Sequence, residues 1–206
     1  MQGSTVDSAK AALNYHGTAE ASAHEAHPDH RIFGLIVFLA AESMIFLGLF
    51  MAYLTFRAVY PEWPPAGTPE RELLLPGINT VILIASSFVI HNADTAIKKN
   101  DVGGLRKWFG ITALMGAVFL VGQIYEYHNL EFGLKTNLYA STFYVLTGFH
   151  GLHVFLGLVL ILGVLWRARQ KEHYSSEHHF GVEAAELYWH FVDVVWIVLF
   201  LLLYIL

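Results

Sequence analysis

Glu183, Glu186, His190 and Asp193 step by three, four and three, a spacing that sets them along one helical face. His150 and His153 share a second face, and Glu42 stands among apolar neighbours in AAESMIF. Imidazoles and carboxylates in such numbers offer three kinds of chemistry: a two-metal centre, a haem ligand set or a proton relay. They also offer an architectural role, in which His donates to a carboxylate and the pair fixes helix register. Gln123 and Glu126 pose the same choice, between a relay and an interfacial polar cluster, and Glu42, Glu126 and Glu183 are the candidates for proton-related roles. Four-helix di-iron sites repeat a Glu-x-x-His motif on two helices, and no such repeat occurs in this chain. The KEHYSSEHH stretch, with His173, His178 and His179, has no matching histidine boxes elsewhere and reads as a solvated interfacial segment.

The elements that must position these residues are membrane spans. The 206 residues are 55% hydrophobic and only 14% charged, and mean hydropathy is +0.48. A helix crosses the hydrocarbon layer of roughly 30 Å in about 20 residues, and five apolar runs reach that length. They cover Ile32 to Phe56, Leu74 to Ile97, Trp108 to Tyr127, Leu138 to Trp166 and Ala184 to Leu206. Glu42, the His150 and His153 pair, and the His190 and Asp193 pair thus lie near the middle of their spans. A charge there costs about 2.5 to 3.5 kcal/mol, so each requires a partner, a neutral form or a wet cavity. Burial disfavours the charged form of Glu42, which is expected to be protonated and to hydrogen-bond a His or Thr of the fourth or fifth span.

The fold class is therefore all-α, an integral membrane protein with residues 31–206 as a single five-helix domain. Residues 1–30 carry His16, His24, His27 and His30 without helical periodicity and read as a mobile His- and Ala-rich tail. Its apolar runs are too short for a signal peptide. Pro76 suits a first helical turn, and PEWPPAGTPE before it suits a loop. Small residues at four-residue spacing, Gly48 with Ala52 and Ala113 with Ala117, and Gly148, Gly151 and Gly157 around the histidine pair, suit close helix packing. The amino-terminal tail and the second and fourth loops hold nine of the twelve Lys and Arg residues. The amino terminus is therefore expected in the cytoplasm and the carboxyl terminus outside. The absence of cysteine excludes disulfides, thiolate zinc sites and iron–sulfur clusters, and the net charge of -5 excludes a basic nucleic-acid face.

Two long segments carry a family resemblance: STFYVLTGFHGLHVFLG (Ser141 to Gly157) and HHFGVEAAELYWHFVDVVW (His178 to Trp196). With ESMIF at Glu42, WPPAG at Trp63 to Gly67, LPGINTVILIASS and QIYEY at Gln123 to Tyr127, the sequence resembles subunit III of the haem-copper respiratory oxidases across all five spans. The resemblance implies a non-redox subunit of a proton-pumping oxygen reductase. It would stabilise the catalytic subunit I and support proton uptake, with haem and copper held in partner subunits and no metal or cofactor in this chain. Cytochrome c would deliver electrons through subunit II, in a bacterial plasma membrane or an internal respiratory membrane. By the same resemblance Glu42 matches an intramembrane carboxylate that reacts with carbodiimides. His150, His153, His190, Asp193 and Trp196 match a helix-packing network, and Arg167 matches a basic residue near phospholipid headgroups. Seven-span family members carry two further helices before the point that matches the first span here, which would leave a lipid cleft one wall short unless another subunit supplies it. A quinol oxidase subunit is the alternative within the family. Outside it stand a haem or di-iron membrane enzyme and an ion or proton transporter, the latter calling for repeats that five spans do not show.

Overall fold

A computed structural model describes residues 30–69, 73–170 and 173–206. Residues 1–29, including His16, His24 and His27 of the amino-terminal segment, lie outside the described residues. The chain divides into two compact units, residues 1–34 and 35–206. Of the first, only the opening turn of a helix is described; the packing below belongs to the second.

Every regular element is helical: α1 (His30–Val59), α2 (Leu74–Lys98), α3 (Val102–Asn129), α4 (Leu138–Arg167) and α5 (Phe180–Phe200), which runs on into a π-helical turn at Leu201–Ile205. All five are long and apolar enough to cross a membrane. Two begin a full turn or more before the hydropathy pattern places them. The third starts at Val102 rather than Trp108, because Asp101 caps it: its Oδ1 accepts from Gly104 N at 2.8 Å. The fifth starts at Phe180 rather than Ala184, one turn before the apolar run. Both added turns are mixed in polarity, which a hydropathy window discards; that of α3 is capped, and that of α5 has no side-chain cap. Asn137 opens α4 in the same way, accepting from Ala140 N at 2.8 Å. Its amide also donates to Thr68 Oγ1 at 3.0 Å, which ties the α1–α2 loop to the start of α4.

The helices α2 to α5 pack backbone to backbone, α2 against α3 and α5, and α4 against α3 and α5. Glycines permit this at three points. A Cβ on Gly116 would lie 2.5 Å from the Trp189 ring, one on Gly157 2.9 Å from the same ring, and one on Gly122 2.3 Å from the Asn79 amide. Trp189 is thus a wedge between α3 and α4, and Asn79 a wedge between α2 and α3. The small residues singled out by spacing behave differently. Gly48 has no atom within 4 Å of its Cβ position, and Gly148 and Gly151 meet only ordinary contacts at 3.7 and 4.0 Å. Of that set only Gly157 is a close-approach point.

At the end of the fold where α1 stops, Trp63 of the loop packs against Tyr53, Tyr60 and Tyr139. Its Nε1 donates to Tyr53 Oη at 3.2 Å, and Tyr53 donates in turn to Leu202 O at 3.1 Å. Tyr53 Oη therefore joins α1, its own loop and the terminal π-helical turn.

Candidate functional site: polar side chains among the spans

The ionisable residues of the spans fall into separate small clusters. The first links α1 to α4. His153 Nδ1 lies 2.8 Å from Phe149 O, a carbonyl that can only accept, so Nδ1 carries a proton. The other nitrogen, Nε2, is 3.2 Å from Glu42 Oε2. One proton is shared across that gap, either as a carboxylic acid donating to a neutral ring or as an imidazolium donating to a carboxylate. Phe46 and Phe149 enclose the ring, with centroids 4.9 and 4.7 Å from it.

The second cluster joins α2 to α5. Ser87 Oγ donates to Asp193 Oδ2 in a very short contact and lies 3.0 Å from His190 Nδ1. A hydroxyl with its proton on Asp193 has lone pairs left for an Nδ1–H donor, so Ser87 bridges the two residues rather than the two bonding directly. Beyond them, Glu186 Oε1 stands 3.6 Å from His190 Nε2 and 3.1 Å from His91 Nδ1. Along the same seam Trp196 Nε1 donates to Thr80 Oγ1 at 2.9 Å, and Trp189 Nε1 donates to Ser86 Oγ at 2.8 Å. Those hydroxyls pass their own protons back to α2 carbonyls, Thr80 to Pro76 O at 2.7 Å and Ser86 to Leu83 O at 2.6 Å.

His150 stands apart from all of these. It is fully buried, its ring 4.9 Å from Trp196 and 5.9 Å from Phe119, and neither nitrogen has a hydrogen-bond partner. A pairing of histidine with carboxylate thus describes His153, but not His150. Glu126 has both carboxylate oxygens occupied: Gln123 Nε2 donates to Oε2 at 3.0 Å and Tyr204 Oη donates to Oε1 at 2.8 Å. This clamps α3 to the terminal π-helical turn.

Glu183 sits in the first turn of α5, its Oε1 3.2 Å from His179 Nε2. Arg167 ends α4, facing Tyr174; burial pushes the Tyr174 phenol up, and the guanidinium and its hydrogen bond pull it back. The two flank a cavity of about 740 Å³ whose walls include Leu35, Phe38, Leu160 and Trp166. Among the described residues, groups of three His, Asp or Glu ligand atoms close enough to share an ion occur at His91, Asp94 and Glu186, and at Asp94, His179 and Glu183. His150, His153 and His190 fall in neither.

The partners supplied by α2 are inconspicuous in the sequence. Thr80, Ser86, Ser87 and Asp94 are uncharged or near a helix end, so a search for charges at mid-span passes over them. Their spacing does carry a signal: the polar or small doublets 79–80, 86–87 and 93–94 recur every seven residues, as do Glu186 with Asp193 and Trp189 with Trp196. Seven residues bring a side chain back to nearly the same face, so two such series mark two facing seams.

A five-helix fold whose mid-span polar groups are satisfied mainly by neighbouring helices defines a multi-pass α-helical membrane protein. Comparison with known proteins makes it particular. The profile of the family "Cytochrome c oxidase subunit III" matches residues 13–206. A cytochrome c oxidase subunit 3 of Synechocystis sp. is 70% identical over 91% of this chain and 80% of its own length. That of Thermostichus vulcanus is 64% identical over 92% and 94%, and that of Loxodonta africana 41% identical over 84% and 68%. The chain belongs to the cytochrome c oxidase subunit III family, and it is therefore a membrane subunit of a haem-copper oxidase complex with other oxidase subunits.

Proposed function

We propose that this chain is a non-redox subunit that holds and supports the catalytic subunit I of the oxidase while proton uptake proceeds there. Haem and copper reside in the partner subunits, and electrons arrive from cytochrome c through subunit II. The observation that carries this reading is the engagement of Glu42, His153, His190 and Asp193 with partners on neighbouring helices. Glu42 is engaged by His153, whose other nitrogen is engaged by Phe149 O; His190 and Asp193 are joined by Ser87. Groups so engaged set helix register and are poorly placed to take a redox metal. The reading predicts that the oxidase stripped of this subunit keeps its reduced-minus-oxidised haem spectrum but loses activity faster during turnover. A haem band that leaves with this chain overturns it.

Two finer features belong to the same proposal. The excess of Lys and Arg in the tail and in the second and fourth loops supports a cytoplasmic amino terminus and an external carboxyl terminus, in a bacterial plasma membrane. Reporter fusions at Leu206 test it. The apolar cavity flanked by Arg167 and Tyr174 supports a bound phospholipid, acyl chain within and headgroup at the guanidinium. Lipid retained by the purified oxidase and lost on Arg167→Gln is the expected result.

A further inference from the structure

Where the last turns of α2 meet the start of α5, a group of ionisable side chains takes no part in the mid-span pairs. One ligand atom from each of Asp94, His179 and Glu183 lies within 4.8 Å of the other two. Asp94 is 4% exposed; its Oδ2 accepts from Lys98 Nζ at 2.6 Å, and its Oδ1 has no hydrogen-bond partner. His179 Nδ1 lies 3.0 Å from Ser175 O, so Nδ1 carries the proton. In the neutral ring Nε2 then presents a lone pair, and it sits buried without a hydrogen bond, 3.2 Å from Glu183 Oε1. Electron-pair donors converge here, and Lys98, whose side chain is 57% exposed, covers one oxygen from the outside only.

We infer that Asp94, His179 and Glu183 form a binding site for a divalent cation of zinc type, which ties the start of α5 and the loop before it to α2. One imidazole with two carboxylates is a donor set for zinc, whereas calcium and magnesium take oxygen ligands throughout. Metal-bound histidines hold their ring by donating the other N–H to a carbonyl or carboxylate, the role Ser175 O fills for His179. That carbonyl is itself held in place by the next residue. Ser176 N donates to Asn100 Oδ1 at 2.8 Å, and Asn100 Nδ2 donates to Ser176 Oγ at 3.1 Å. Tetrahedral zinc with bonds of about 2.0 to 2.1 Å brings its ligand atoms to roughly 3.4 Å from one another. His179 Nε2 and Glu183 Oε1, 3.2 Å apart, already stand near that separation, and Glu183, partly exposed, is free to adjust toward Asp94. The neighbouring group of His91, Asp94 and Glu186 shares only Asp94, its His91 is mostly exposed, and its Glu186 already faces two histidines. This site departs from the expectation of a chain without metal, and it asks for no redox chemistry.

Equilibrium dialysis of radioactive zinc against the intact detergent-purified oxidase tests it, in a background where His16, His24, His27 and His30 are replaced by Asn. The parent is expected to bind one more zinc per complex at micromolar free zinc than His179→Gln or Asp94→Asn, with magnesium in large excess failing to displace it. Lys98→Met, which removes the competing ammonium, is expected to tighten binding about two- to fivefold. Should Asp94→Asn prevent assembly, Glu183→Gln and Lys98→Met alter only partly exposed side chains and carry the test. Equal zinc content in the parent and in His179→Gln and Glu183→Gln overturns the site, as does weaker binding by Lys98→Met.

Discussion

Helices α1 and α4 have the same length, yet α1 buries three residues, Leu39, Phe46 and Tyr53, at seven-residue intervals, whereas α4 buries twelve along one broad stripe. The first is attached along one narrow seam: Phe46 against Phe149 and Phe191, Glu42 on His153, Tyr53 on Leu202. The second packs against both α3 and α5, with the Trp189 ring set against its Gly157. In water the exposed Met44, Leu47, Met51 and Leu54 of α1 would be costly; in lipid they cost nothing, because acyl chains are as apolar as leucine. Burial therefore does not position α1, and a few specific contacts do. The comparison separates a self-contained core, α2 to α5, from a helix whose free faces suit lipid or a neighbouring subunit.

The sharpest way to break that distinction is to overfill the core. Gly116→Val places methyl groups where the fully buried Trp189 ring already stands, and overpacking of this kind costs about 1 to 3 kcal/mol. The expected outcome is loss of the subunit from the solubilised complex, or a clearly lower melting temperature. A complex of normal yield and stability would mean that the core is looser than its geometry implies. Next in size is Asp193→Leu, which strands Ser87 and His190 without the carboxylate between α2 and α5. Hydrogen bonds within membranes average about 0.6 kcal/mol and reach about 1.7 kcal/mol. Subunit retention should fall accordingly while the haem spectrum of the remaining complex stays unchanged. A normally composed complex with an altered haem spectrum would tie Asp193 to the redox centres instead.

Which parts of this arrangement are legible without coordinates follows from what each part depends on. Span number and order depend on hydropathy, which is a sum over about 20 residues and tolerates local exceptions, so all five helices are readable. The starts of α3 and α5 depend on a single cap, Asp101, and on one mixed turn after His179, and a window average erases both. The candidate residues are readable because charge in an apolar run is conspicuous. Their partners are not, because Ser87, Thr80 and Phe149 O are a hydroxyl, a hydroxyl and a backbone carbonyl that occur throughout such helices. Depth alone also misled about connection: His150 and His153 are three residues apart, yet one bonds to α1 and the other packs between aromatic rings without a polar partner. Gly116 and Gly122 escaped notice since their close neighbours, Trp189 and Asn79, come from other helices.

A smaller effect probes the seam of α1. Glu42→Ala deletes its polar contact with α4, so hydrogen exchange should rise along α1 and remain unchanged in α2 to α5. Glu42→Gln separates the two possible protonation patterns. A Gln amide donates to the neutral Nε2 of His153 as a carboxylic acid does, so near-parental exchange is expected if the proton rests on Glu42. Exchange between that of the parent and that of the Ala variant is expected if the proton rests on His153, because a neutral hydrogen bond then replaces an ion pair. If either variant loosens the core helices as much as α1, then α1 is part of the core and the distinction fails.

The smallest effect expected is the most informative about what lies outside the chain. A Cβ at Gly48 meets nothing within 4 Å, and Ala is favoured over Gly in helices by up to about 1 kcal/mol, so within this subunit Gly48→Ala should be neutral or slightly stabilising. The isolated subunit in detergent and the intact oxidase then answer separate questions. A melting temperature unchanged in the first and lowered in the second would show that another polypeptide approaches α1 closely enough to notice one methyl group. Unchanged values in both would leave that face to lipid, whose chains yield to a methyl where a packed helix does not.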